Sequence, residues 1–149
     1  MHAAEAGGVN IIGTIVTGNG DTSVPGNFDI FSDEEDPGTV NSDHSIIGVT
    51  SESVTVVDQG GTQRNVDPLL GPLANNGGPT QTMALLTGSP AIDHGPVPVP
   101  SFPLNDNDQR GAGFPRVVNG TVDVGAYEVQ APAGPSPAPE VIVTPRFTG

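Results

Sequence analysis

Asp67-Pro-Leu-Leu-Gly-Pro-Leu-Ala-Asn-Asn-Gly-Gly-Pro-Thr80 decides how the rest of this chain is read. Leu69, Leu70 and Leu73 are apolar pegs set among turn-forming residues. Asn75-Asn76-Gly77-Gly78 predicts a tight turn with positive φ, so Gly78→Val should destabilise the fold. Downstream, Met83-Ala-Leu-Leu86, Gly88-Ser-Pro-Ala-Ile-Asp93, Asp108-Gln-Arg-Gly111 and Val122-Asp-Val-Gly-Ala-Tyr-Glu128 continue an ordered series. Arg116–Val118 and Thr121–Val129 read as a hairpin around Asn119-Gly120, a pair suited to consecutive positive φ angles.

Upstream, short β-rich runs are split by polar turns. Val9–Ile12, Thr14–Thr17, Phe28–Phe31, Ser45–Val49 and Val54–Val57 each read as a strand of four or five residues. Gly18-Asn-Gly-Asp21 and Asp33-Glu-Glu-Asp-Pro-Gly38 supply turn chemistry between them. No segment repeats apolar residues at helical spacing over two turns, so almost no helix is expected. Asn10-Ile-Ile-Gly13 recurs as Ser45-Ile-Ile-Gly48, which places a repeat about 35 residues apart. Beyond Gly95 the chain is Pro-rich to 105, and 131–139 is an extended Pro/Ala linker. The organisation expected is a disordered 1–8, coils over 9–66, a cap region over 67–130, and a linker with the start of a further module over 131–149.

Composition sets the surroundings. Seventeen carboxylates face four arginines, Arg64, Arg110, Arg116 and Arg146, with no lysine, giving a net charge of −13. Such a surface repels nucleic acid and anionic membrane. No cysteine is present, so disulfides and thiolate metal sites are excluded. Gly (21) and Pro (16) together with 34% hydrophobic residues point to short strands and a thin core. Stacked repeats suit such a core, because each rung buries its apolar face on its neighbours. Residues 1–8 have neither a basic n-region nor an apolar h-region, and no apolar run reaches membrane-spanning length.

The block from Asp67 to Asp93, with Asp108–Gly111 and Val122–Glu128, resembles the terminal region of bacterial choice-of-anchor Q domain proteins. These are similar to the polymorphic outer-membrane and autotransporter-like β-helix proteins. The resemblance covers roughly residues 9–130. It departs at Thr87, where Pro is more usual, in the acid-rich Asn105–Asp108, and in the Pro-heavy loop from Gly95 to Leu104. It implies an all-β fold: terminal coils of a right-handed parallel β-helix with a C-terminal cap and hairpin and a Pro-rich tail. It also implies an exported bacterial protein, and the role expected is a non-catalytic structural cap and stalk of a cell-surface or extracellular protein, adhesin-like in kind. Extracellular glycan or a host surface protein would be the partner. The alternative is the C-terminal part of a polysaccharide-degrading β-helix enzyme whose active site lies on upstream coils.

Candidate chemistry is sparse, and no catalytic or cofactor-binding residues are assigned. Asp106 and Asp108, flanked by Asn105 and Asn107, are a candidate calcium pair, since calcium takes hard oxygen ligands. An EF-hand count from Asp106 puts Val117 where the bidentate acid belongs. The competing reading is a solvated turn in which Asp108 pairs with Arg110. Asp33–Asp36 reads as a solvated loop. Asp43-His44 and Asp93-His94 are expected not to pair, because neighbours on a strand face opposite sides. Arg110 is expected to form a bidentate pair with Asp93, Asp123 or Glu128 and to organise the cap. Asn119-Gly-Thr121 matches a glycosylation pattern by coincidence.

Overall fold

The computed structural model describes residues 8–20, 26–96 and 106–130. The expected tail at 1–7, most of the Pro-rich loop, and the linker and further module at 131–149 lie outside the described residues, as does Asn105. The described residues contain no helix and eight strands: β1 (Gly8–Ile12), β2 (Ile15–Val16), β3 (Thr39–Asp43), β4 (Ile46–Ile47), β5 (Thr55–Gly60), β6 (Gln63–Arg64), β7 (Leu70–Ala74) and β8 (Thr82–Leu85).

The first six strands alternate between two parallel sheets, ordered β1-β3-β5 and β2-β4-β6. Each pass of the chain therefore lays one strand on each sheet. A parallel bridge between Ile30 and Thr50 marks a third contact between successive passes. The chain turns from one sheet to the other through left-handed backbone at Gly13 (φ 57°), at His44 (φ 42°) and at Gly61 (φ 67°), the last preceded by Gly60 at φ 156°. These corners stack. Gly13 N donates to Asp43 O at 3.0 Å and His44 N donates to Gly60 O at 2.6 Å. Glycine suits the corner because positive φ costs it nothing, and His44 shows that a side chain is tolerated at the middle level.

The register corrects the expected repeat. Asn10 lies beside Asn41, Ile15 beside Ile46 and Val16 beside Ile47. Asn41 Nδ2 donates to Asn10 Oδ1 at 2.9 Å across a separation of 31 residues, not 35. The next pass is shorter, with Thr39 beside Thr55 and a bulge where Asp43 meets Gly60. Two of the six strands, β3 and β6, fall outside the expected β-rich runs, and the expected strand Phe28–Phe31 is reduced to the single bridge at Ile30.

Ile46 and Ile47 are both fully buried yet point to opposite faces of their sheet. Ile47 joins Val40 and Val54 between the two sheets, with Ile11, Ile30 and Val56 around them. Ile46 faces outward, onto Leu85, Ala91 and Val124. The described residues of 70–96 and 106–130 thus supply the cover on the outer face of β2-β4-β6, beside the stack. β7 and β8 form an antiparallel pair with Leu70 opposite Leu85. Gln63 Nε2 donates to Pro90 O at 3.0 Å, and Gly125 N donates to Gly13 O at 2.8 Å, tying this brace to the two outer passes. The hairpin at Asn119-Gly120 is reduced to its turn: Val118 and Thr121 exchange both backbone bonds at 3.1 Å, and no longer strand follows on either side.

Candidate functional site

Five charged side chains sit inside the brace: Asp108, Arg110, Arg116, Asp123 and Glu128, none more than 9% exposed. The loop Asp106–Arg116 places the first three. It closes on itself where Arg116 N donates to Asp106 O (2.8 Å) and Asp108 N donates to Phe114 O (2.9 Å). Asp108 Oδ1 accepts the Arg110 backbone N–H at 2.8 Å, an Asx-type turn that carries Arg110 back over its own carboxylate. The Arg110 guanidinium then reaches Asp108 Oδ2 through Nη2 at 2.6 Å, with Nε 3.0 Å from the same oxygen. Its second contact through Nη2 is the Glu128 carbonyl oxygen, at 2.5 Å. The guanidinium lies between two rings, 4.0 Å from the Phe114 centroid and 3.8 Å from that of Tyr127.

The expected partner of Arg110 is therefore corrected. It pairs with Asp108, not with Asp93, Asp123 or the Glu128 carboxylate. The reason is local: an acid two residues away on a closed turn needs no further ordering to meet the guanidinium. Asp123 is used otherwise, accepting Asp93 N–H at Oδ1 (2.8 Å) and Val129 N–H at Oδ2 (2.6 Å). That one carboxylate thus ties the turn at Asp93 to the 122–130 segment.

Glu128 is fully buried and incompletely satisfied. Its Oε2 accepts Asp123 N–H at 2.9 Å and lies 3.6 Å from Arg116 Nη1. Its Oε1 and Arg116 Nη1 have no hydrogen-bond partner. Burial, with added repulsion from Asp123 and Asp108, pushes the Glu128 carboxyl up to about 7, against the pull of the Asp123 N–H and of Arg116.

Asp106 and Asp108 are not brought together as free ligands. Asp106 is half-buried, whereas Asp108 is buried with both oxygens engaged by Arg110 and by Glu128 N–H (2.8 Å). No group of three His, Asp or Glu side chains suited to a metal occurs among the described residues. Asp33–Asp36 is exposed as expected, with Asp36 N donating to Asp33 Oδ1 at 2.7 Å. Asp43 and His44 do pair, Nδ1 to Oδ1 at 2.5 Å, contrary to expectation. His44 occupies the left-handed corner and not a strand, so strand alternation does not apply to it. His94 instead directs Nδ1 at Ile92 O, 2.9 Å away, while Asp93 accepts a short bond from the Thr121 hydroxyl.

An open groove of about 590 Å³ runs between the outer sheet face and β7-β8, past Ile15, Leu73, Met83, Gln109 and Tyr127. No acidic, basic or histidine side chain lines it. Sequence reading missed Arg116 and Glu128 as a buried pair. The available signal was scarcity: with four arginines and no lysine in the chain, any arginine within the polar turns of a thin core had to be accounted for. No family model, curated protein or solved structure matches the chain.

Proposed function

We propose that residues 9–130 are a non-catalytic structural segment of an exported cell-surface or extracellular protein. In this reading they form the last coils of a right-handed parallel β-helix of choice-of-anchor type, with a lateral brace. The observation that carries the reading is the double parallel ladder, β1-β3-β5 and β2-β4-β6, with its left-handed corners stacked at Gly13, His44 and Gly61. A chain that returns to the same two sheets on every pass has the architecture of a solenoid. The charged residues support the structural role as well. Those buried in the brace are spent on backbone N–H groups, carbonyls and each other, an arrangement that organises loops. Among the other described acids, Asp33–Asp36, Glu52, Asp58, Asp67 and Asp93 are exposed, which suits a surface soluble in a saline exterior.

The test is deletion of 106–130. Val124 covers Ile46, and Gly125 holds Gly13, so the truncated chain should lose amide protection at β2, β4 and β6 and melt at lower temperature. A truncated chain with unchanged protection and melting would overturn the bracing role.

A further inference from the structure

We propose that the buried charge cluster of the brace is a proton-loaded latch, closed while Glu128 carries a proton and loosened when alkaline conditions remove it. The geometry is an imbalance of charge in a closed space. Three carboxyl groups, Asp108, Asp123 and Glu128, face two guanidinium groups, Arg110 and Arg116. With all five ionised the cluster holds one uncompensated negative charge away from water.

The contacts identify where that charge falls. Asp108 has Arg110 as a close ion pair and two backbone N–H donors. Asp123 has a backbone N–H donor on each oxygen, and Arg116 Nη2 donates at 2.9 Å to its carbonyl. Glu128 alone has an oxygen with nothing donating to it, Oε1, and its nearest cation is 3.6 Å from the other oxygen. The other groups facing it from the packed segments are Tyr127, whose ring is taken by Arg110, and Asp93, whose side chain is turned to Thr121. His94 on the same turn is exposed and directed at Ile92 O. Beyond Arg116, 3.6 Å away and with no hydrogen bond to the carboxylate, none of these side chains is placed to neutralise Glu128, and a neutral hydroxyl left unpaired costs less than an unpaired carboxylate oxygen.

The latch acts on more than one segment. Glu128 Oε2 holds Asp123 N, its own N–H is held by Asp108, and its carbonyl is held by Arg110. Ionisation therefore stresses the point at which the 106–116 loop joins 122–130, the segment that covers Ile46. The direction follows from the carboxyl sitting near 7 in the fold against 4.5 for the free group. Its contribution is fully present below 4.5, declines as pH rises, and is gone above 7. Across that interval the unfolding equilibrium constant should rise by up to about 300-fold on account of this group.

The experiment is a series of melting curves for the whole chain and for Glu128→Gln between pH 5 and 9. The wild-type chain should lose melting temperature between pH 5 and 8, and Glu128→Gln should lose markedly less over the same interval. Parallel curves would overturn the latch. Should Glu128→Gln fail to fold, carbon-13 titration of the six glutamate carboxyls in the wild-type chain decides the matter. One glutamate titrating near neutrality supports the latch, and all six titrating in the ordinary acid range would overturn it.

Discussion

Replacing Arg110 by alanine should remove a large share of the stability of this fold. The guanidinium lies over two rings, ion-pairs with Asp108 and donates to the Glu128 carbonyl, all while only 4% exposed. Leaving one member of a buried ion pair without its partner costs about 3–5 kcal/mol. Asp108 retains the backbone N–H groups of residue 110 and of Glu128, which places the charge loss at the lower end of that range. Two cation–π contacts, taken at the value for exposed sites, add at least about 1–2 kcal/mol together. A total near 4–5 kcal/mol approaches the lower end of the stability of a small domain, about 5–15 kcal/mol. Denaturant titration measures it directly. Arg110→Met separates the contributions, because it keeps a flexible apolar chain between Phe114 and Tyr127 while deleting the charge. Combining it with Asp108→Asn should recover part of the loss, since the carboxylate left unpaired is then gone. A midpoint for Arg110→Ala within error of the wild-type chain would refute the reasoning. So would an Arg110→Met, Asp108→Asn pair whose costs simply add.

Two further outcomes follow from the same loop. Gly78 has φ 79°, and a Cβ there would lie 2.3 Å from Arg110 O, whereas Gly88 has φ 84° with nothing within 4 Å. Gly78→Ala should therefore cost clearly more than the roughly 1–2 kcal/mol of left-handed strain expected at Gly88→Ala. Equal melting temperatures for the two variants would show that the Gly78–Arg110 approach is not tight. Millimolar calcium should move the melting temperature by less than about 1 °C, because a ligand stabilises a fold only through binding and both Asp108 oxygens are already engaged. A rise of several degrees, lost in Asp106→Asn, would restore the calcium reading of Asp106 and Asp108.

How far the fold was legible depends on which residues carry the pattern. Ile11-Ile12-Gly13 and Ile46-Ile47-Gly48 look alike as words, and aligning them yields the wrong period. In space Gly13 is a corner and Gly48 is not. The aligned elements are Val9-Asn10 with Val40-Asn41, and Thr14-Ile15-Val16 with Ser45-Ile46-Ile47. Alignment on the polar corner, with Thr14 N bonded to Ser45 Oγ at 3.1 Å, would have found it. β3 escaped notice because only Val40 is apolar in Thr39–Asp43; its other inward residue, Ser42, is satisfied by the Thr62 hydroxyl at 2.9 Å. The turn at Asn75–Gly78, the Asn119-Gly120 reversal and the absence of helix were legible, since each rests on backbone preferences of few residues. Arg110's partner was not, because four acids stood within reach in sequence and only the closed turn selects Asp108.

Ile46 and Ile47 offer a way to decide whether stack and brace are one cooperative unit. Each is fully buried, and by the usual cost of truncating a core isoleucine each alanine variant should lose about 2–5 kcal/mol. Their environments do not overlap: Ile47 packs with Val40 and Val54 between the sheets, and Ile46 packs with Leu85, Ala91 and Val124 in the brace. The sheet between them has three strands of two residues each, too little to stand with one face in water. One consequence is that Ile46→Ala, though it touches only the brace, should lower the unfolding midpoint of β1, β3 and β5 as far as Ile47→Ala does. Residue-resolved hydrogen exchange in increasing denaturant reads this out. If Ile46→Ala loosened Val122–Gln130 while β3 kept its wild-type protection, the brace would be a dispensable attachment, and the two-sided burial of β4 would not be what holds the coils together.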